Sequence, residues 1–248
     1  MQSIPPDRRG LWHSGPVPLT HRALIGFLVA AAVLGGCGRI PPMGSEPIPE
    51  ASSGRGDDAA GGCEYVATGE AAKPVNLPST SGVPTSGSVR YVLRMTEGDV
   101  TVTMDRAKAP CTVNSFVSLA GQGYFDKTRC HRLADSGIFI LQCGDPTGTG
   151  RGGPGYQFAN ETDGSESYTR GVVAMANAGP GTNGSQFFLV WDDSTSLNQV
   201  PNYTIFATLD PAGRDVVAAM AAEGQDGSNP DGTGRPNNPS EITSVTPA

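Results

Sequence analysis

Apolar and polar residues alternate over Val89–Met95 (VRYVLRM) and again over Asp99–Met104 (DVTVTM), on either side of Glu97-Gly98. Period two around a glycine-containing turn predicts a β-hairpin with one buried face. The period changes after Pro110, where Val113, Phe116, Val117 and Ala120 share one side of a helix that Gly121 ends. Short apolar stretches at Arg129–Leu133, Ile138–Gln142, Gly171–Met175, Gln186–Trp191, Thr204–Leu209 and 242–246 (ITSVT) read as further strands. A second helix, roughly Gly213–Glu223, buries Val216, Val217 and Met220. Many short strands and two helices, separated by Gly-rich loops, fit a mainly β antiparallel barrel or sandwich with helical caps over residues 88–248.

Ahead of residue 88 the pattern is different. Arg8, Arg9 and Arg22 form a basic leader before the twelve-residue apolar run Ala23–Leu34 (ALIGFLVAAAVL). As a helix that run is about 18 Å long, short of the roughly 30 Å hydrocarbon core, so residues 1–36 read as a signal peptide. Leu34-Gly35-Gly36-Cys37 resembles a bacterial lipobox, which makes Cys37 the lipidation site. Two or more acyl chains anchor stably. Residues 37–87 are rich in Pro, Gly, Ser, Glu and Ala, too poor in large apolar groups to offset ordering entropy. They read as a flexible, lipid-anchored tether, with Cys63-Glu64-Tyr65 as a short docked piece. The expected location is outside the cytoplasm, on the bacterial cell membrane.

Charge and chemistry narrow the function. The 248-residue chain carries a net charge of −7, and without the leader fourteen Lys and Arg face twenty-three Asp and Glu, a net charge of −9. No basic and aromatic residues interleave, so nucleic acid is not an expected partner. His131 is the one histidine beyond the leader, so a two-histidine metal site cannot form, and Cys63, Cys111, Cys130 and Cys143 lack zinc-type pairing. No G-x-S-x-G elbow is present. Gly148–Gly153 satisfies G-x-G-x-x-G, but Pro154-Gly155 follows where a dinucleotide fold needs a helix. Neither metal nor cofactor is expected. The four cysteines allow three pairings, of which Cys130–Cys143, flanking a hairpin, is the first choice.

Three segments carry the chemistry: Cys130–Asp145 (CHRLADSGIFILQCGD), Met175–Phe188 (MANAGPGTNGSQFF) and Leu197–Leu209 (LNQVPNYTIFATL). With Ala109–Asp126 (APCTVNSFVSLAGQGYFD) they resemble the cyclophilin family of peptidyl-prolyl cis/trans isomerases, in the same order and near the same spacing from Val89 onward. The resemblance implies a closed eight-stranded antiparallel barrel capped by two α-helices, with substrate on its outer face. Arg132 matches the family's catalytic arginine and Gln142 its glutamine partner. Phe139, Ile140, Ala176, Asn177, Gln186, Phe188 and Leu197 match substrate-binding positions, and Tyr203 stands where many relatives have histidine. The segments Arg132–Gln142 and Leu197–Tyr203 are each about two residues longer than in common relatives. Ser196 replaces the tryptophan of cyclosporin-sensitive members.

Rotation about an X-Pro bond breaks no covalent bond, so neither nucleophile nor metal is needed. A fixed cation near the prolyl nitrogen weakens amide resonance, and a planar guanidinium suits that task. The expected function is therefore isomerisation of X-Pro bonds in exported, unfolded or nascent polypeptides by a monomer. The rival readings are a non-catalytic peptide-binding or holdase module, which need not retain Arg132, Gln142 and Phe188 together, and a solute-binding lipoprotein. The latter needs two lobes, more than about 160 folded residues provide.

Overall fold

The structure, a computed structural model, describes residues 62–199 and 202–248. The expected signal peptide, Cys37 and tether residues 37–61 lie outside the described residues. In chain order the elements are β1 (Val66–Ala67), β2 (Ser88–Met95), β3 (Gly98–Asp105), α1 (Pro110–Gly121), β4 (Thr128–Arg129), β5 (Arg132–Ser136) and β6 (Ile138–Cys143). Then come β7 (Tyr156–Gln157), β8 (Val172–Met175), β9 (Phe187–Val190), a 3-10 turn (Thr195–Gln199), β10 (Ile205–Leu209), α2 (Pro211–Ala222) and β11 (Glu241–Pro247).

The alternation in β2 and β3 sets the interior. Their register runs unbroken from Ser88 opposite Asp105 to Met95 opposite Gly98. Tyr91, Leu93 and Met95 face inward beside Val100, Val102 and Met104, all buried. Phe116 of α1 closes this core, stacking on Phe125 at 4.9 Å between centroids and meeting Phe187 and Phe206 at 5.6 Å. Each such pair contributes about 0.5–1.5 kcal/mol beyond burial. Both helices begin with proline, which pre-sets the first helical dihedral. The free N–H groups of α1 are satisfied from outside the helix, Cys111 and Thr112 donating to the Glu161 carboxylate at 2.9 and 2.8 Å. In α2 the Asp210 side chain accepts from Gly213 N at 2.7 Å, which starts the helix at Pro211, two residues before the expected position.

The closed eight-stranded barrel expected from the family resemblance is corrected here. The main sheet has nine antiparallel strands in the order β4-β11-β2-β3-β10-β8-β9-β6-β5, curled but open. The extra strand arises because the expected strand 129–133 is split. Cys130 N bonds to Ser240 O, beside β11, while His131 N bonds to Gln142 O of β6. The two edges of the sheet are therefore successive pieces of one chain run, joined by peptide backbone at 130–131 and by no ladder of hydrogen bonds.

Residues 62–87, expected to belong to the tether, are packed onto the domain. Cys63, Tyr65 and Val83 are buried, and β1 pairs with β7. Tyr65 donates to Cys111 O at 2.8 Å and meets Tyr156 and Phe158 edge-on. Lys73 Nζ donates to Gly123 O. The expected docked piece at 63–65 is the start of a longer arm. Composition could not show this, because the arm buries only a few large groups and borrows the rest of its core from the domain.

Among the described residues two disulfides form, Cys63–Cys111 and the expected Cys130–Cys143, with sequence separations of 48 and 13 residues. Loop-closure entropy makes the first worth about 4 kcal/mol and the second about 3 kcal/mol. Urea unfolding of the oxidised full-length chain should therefore show a larger loss for Cys63→Ser/Cys111→Ser than for Cys130→Ser/Cys143→Ser. The reverse order would mean that the arm adds little to the stability of the domain.

Candidate functional site: a braced arginine beside an apolar cluster

Strand register places the site. Arg132 of β5 lies opposite Gln142 of β6, Gln142 opposite Phe188 of β9, and Phe188 opposite Ala174 of β8. Directly paired residues point to the same face, so these four form one row across the outside of the sheet at roughly 4.8 Å per strand. One end of the row is cationic and the other apolar.

At the polar end the side chains form a one-way relay. Arg132 Nη1 donates to Gln142 Oε1 at 3.3 Å, and Gln142 Nε2 donates to Gln186 Oε1 at 2.9 Å. Gln186 Nε2 donates in turn to the carbonyls of Gly150 and Gly152 at 3.0 and 2.9 Å. Chains of this kind polarise one another and hold each amide in one orientation.

At the apolar end, Ile140 and Phe188 pack with Ala174, Val190, Ile205 and Tyr168, while Ala176, Leu197 and Tyr203 lie against them half-buried. Phe188 and Ile140 are only 2% and 3% exposed, so they form a floor. Tyr203 meets Phe188 edge-on at 5.5 Å, as one wall. Phe139 does not join this cluster. Alternation along β6 turns it to the other face from Ile140 and Gln142, where it meets Trp191 at 5.1 Å. Adjacent positions in a flat strand cannot share a face, which the pairing of Phe139 with Ile140 by resemblance did not allow for.

Ala176 and Asn177 leave the end of β8. Ala176 N bonds to Gln186 O at 2.9 Å, while Asn177 Nδ2 donates to Asn202 O at 3.1 Å and Asn183 Oδ1 at 3.3 Å. The small, glycine-rich segment that follows is thus tied at several points. With Gln142, Gln186 and Gly152, these two residues line a recess of about 500 Å³ whose far side is Thr68–Glu70 of the arm. Ser196 Oγ donates to Gly137 O at 2.6 Å, so the 3-10 turn is pinned to the tip of the β5–β6 hairpin. The residue just before Leu197 thus touches the tip of the Arg132–Gln142 segment, which is expected to be longer than in relatives.

Four contributors were not identified from sequence as site residues: Asp145, the arm residues 68–70, and Asp231 with Thr233. Asp145 is fully buried and accepts from the N–H groups of Thr147, Thr149, Gly150 and Gly152 at 2.7, 3.1, 2.7 and 3.1 Å. A Cβ on Gly152 would lie 2.0 Å from its Oδ1, so only glycine fits there. Burial alone would raise the pKa of this carboxyl, but hydrogen bonds from Thr147 and Gly152 overcome burial and hold it below the ordinary 3.8. The run of glycines after Gly-Asp was the available signal. His131, between this loop and Arg132, is buried, and its burial lowers its pKa, favouring the neutral ring.

An antiparallel sheet with two helical caps carries an outward-facing arginine held beside an apolar cluster. Comparison with known proteins gives the family. The model for "Cyclophilin type peptidyl-prolyl cis-trans isomerase/CLD" matches residues 90–247, and the chain belongs to this family. It is 46% identical over 198 residues to the "Probable peptidyl-prolyl cis-trans isomerase B" of Mycobacterium tuberculosis, covering 74% of this chain and 63% of that one. It is 44% identical over 177 residues to the same-named protein of Mycobacterium leprae, covering 65% of this chain and 59% of that one. The chain thus spans about six-tenths of these relatives' length. The crystal structure of a cyclophilin type peptidyl-prolyl cis-trans isomerase from Cryptosporidium parvum superimposes with a TM-score of 0.58 at 29% identity, covering 65% of this chain and 98% of that one.

Because the folded-state pKa of Asp145 is depressed, its stabilising contribution is complete above the ordinary carboxylate value and is lost as pH falls through the lowered one. Urea unfolding should show wild type losing more stability than Asp145→Asn over that acid range. Asp145→Ala takes the shared acceptor from these four N–H groups and should cost roughly 3 kcal/mol at neutral pH. Parallel acid profiles for wild type and Asp145→Asn would remove this carboxylate from the loop's stability.

Proposed function

We propose that this chain is a peptidyl-prolyl cis/trans isomerase acting on X-Pro bonds of exported polypeptides outside the cytoplasm. The observation that carries the reading is the row Arg132–Gln142–Phe188, a fixed cation two strands from an apolar floor. The proline ring rests on Phe188, Ile140, Leu197 and Tyr203. Ala176 and Asn177 present backbone to the preceding residue, and Arg132 approaches the prolyl nitrogen. A second crystal structure of the Cryptosporidium parvum protein, 30% identical over 64% of this chain, was obtained in the presence of the dipeptide Ala-Pro. It supports a proline peptide as the ligand here.

The barrier to rotation is about 20 kcal/mol because the C–N bond has partial double-bond character. A cation at the prolyl nitrogen favours localising the lone pair there, which happens only as the bond twists. That interaction is stronger in the transition state than in the ground state, as catalysis requires. Bringing a tens-of-seconds process to milliseconds needs about 10⁴-fold, or roughly 5.5 kcal/mol, which one oriented cation with positioning supplies. No proton moves, so the neutral His131 has no catalytic task.

Arg132→Ala should abolish most turnover in exchange spectroscopy on a proline peptide, with folding unchanged. Arg132→Lys should recover little, since an ammonium cannot reproduce the planar fork. Near-wild-type turnover in a folded Arg132→Ala chain would remove Arg132 from the mechanism, whereas peptide binding without turnover in wild type would leave a holdase as the better reading.

The lipobox-like Leu34–Cys37 supports attachment to the outer side of the cell membrane through Cys37. Cys37→Ser should accumulate as an unlipidated precursor with its leader attached. Mass spectrometry of wild-type protein from its native envelope checks this, and an unlipidated soluble form would refute it.

A further inference from the structure

We infer that Asp231 and Thr233 form a positioning brace for Arg132, holding its guanidinium from the side opposite Gln142; this rests on the isomerase reading above. The guanidinium has five N–H donors. Nε donates to Thr233 Oγ1 at 3.0 Å, Nη2 to Asp231 Oδ2 at 3.0 Å, and Nη1 to Gln142 Oε1 at 3.3 Å. Among the described residues one N–H on each Nη stays without a partner. Three donors fix the plane, and two are left for the substrate.

Gln142 alone is a poor restraint, because its bond is the longest of the three and its acceptor is neutral. The brace supplies what it lacks. Asp231 divides its oxygens between two tasks, Oδ2 on Arg132 and Oδ1 accepting from Thr233 N at 3.1 Å and Thr233 Oγ1 at 2.7 Å. The Thr233 hydroxyl donates to Asp231 and accepts from Arg132 Nε and from Asn229 Nδ2 at 3.0 Å. One donor and two acceptors saturate it, so its direction toward Arg132 is determined.

The loop is registered on the strand that carries the arginine. Leu133, next to Arg132, exchanges both backbone hydrogen bonds with Gly234, at 2.7 and 3.1 Å. A Cβ on Gly234 would lie 2.6 Å from the backbone N of Gly227 and 2.2 Å from Gln225 Oε1, so glycine lets this end of the loop pack against residues 225–227. The loop closes on itself through Asn229 N to Thr233 O at 2.9 Å and Gly232 N to Asn229 O at 3.1 Å. It also forms one side of a second recess, about 440 Å³, in which Arg132, Gln142, Thr149 and Arg235 face Asn229 and Asp231. Hydrogen bonds from Thr233 hold the pKa of Asp231 down, to about 2, so the carboxylate is charged throughout the neutral range.

The Asp231 side chain is 55% exposed, so an ordinary surface ion pair there would contribute little to stability. That separates the brace from a structural salt bridge. The test uses the full-length chain with Asp231→Asn, Thr233→Val and Thr233→Ser. Turnover of a proline peptide is measured by exchange spectroscopy, the melting temperature by circular dichroism, and the Arg132 Nε–H signal by NMR. Asp231→Asn and Thr233→Val should each lower kcat roughly 3- to 30-fold while KM stays within about twofold. The melting temperature should not move in Asp231→Asn. Thr233→Ser should restore kcat. The Arg132 Nε–H, protected from exchange in wild type, should exchange rapidly in Asp231→Asn. Wild-type kcat in Asp231→Asn, or a change in KM alone, overturns the brace. Should wild type itself show no isomerase activity, the proposed function fails. The Arg132 signal then decides the brace separately, and equal protection in wild type and Asp231→Asn overturns it.

Discussion

A shift of one residue in the pairing of β5, β6 and β9 would turn Arg132, Gln142 and Phe188 from the outer face of the sheet to its interior. Everything at the candidate site depends on that register. It is held by the opposite face of the same strands, where Leu133, Leu141, Phe187 and Leu189 are buried against the aromatic core beneath α1. Alternation makes the two faces one decision. Burying the leucines commits the arginine and glutamine to the outside.

The outer face then has to solve a problem the core does not. A guanidinium must stand beside an apolar cluster without folding back into solvent, and a side chain with four rotatable bonds has many rotamers in which to do so. The solution is a pair of restraints from opposite directions. From the sheet comes the relay through Gln142 and Gln186 to the carbonyls of Gly150 and Gly152. From the loop at 229–234 come Asp231 and Thr233. The buried Asp145 carboxylate orders the glycines at the far end of the relay, so a loop of small residues behaves as a rigid wall.

The periphery follows the same logic. The sheet does not close by a ladder, yet its edges are not left as free strands, because β4 and β5 are consecutive in the chain and a disulfide from Cys130 ties that junction to Cys143 on β6. The N-terminal arm covers β7 and completes the 500 Å³ recess, stapled at Cys63 to the start of α1. The arm and the 229–234 loop stand at opposite ends of the polar row, one beside Gln186 and the other beside Arg132.

Much of this is determined by sequence alone. Period two over Val89–Met104 and period 3.6 over Val113–Ala120 set the hairpin and α1, since burial of one face is a local property of spacing. Gly121 marked the end of α1, and the Cys130–Cys143 bridge followed from a hairpin between them. The segments around Arg132, Gln142 and Gln186 carried the family, because their order along the chain survives folding. Tertiary structure decided the rest. Asp231 lies 99 residues from Arg132 and Cys63 lies 48 from Cys111, with no periodicity or spacing rule connecting them. The strand expected at 129–133 splits only because Ser240 and Gln142 compete for adjacent N–H groups from different sides of the sheet. Phe139 left the apolar cluster for the same kind of reason. A resemblance aligns neighbouring residues, while the pleat of β6 sends them to opposite faces. Spacing fixes which face a residue takes within its own element, and only the packed fold fixes which distant group it meets there.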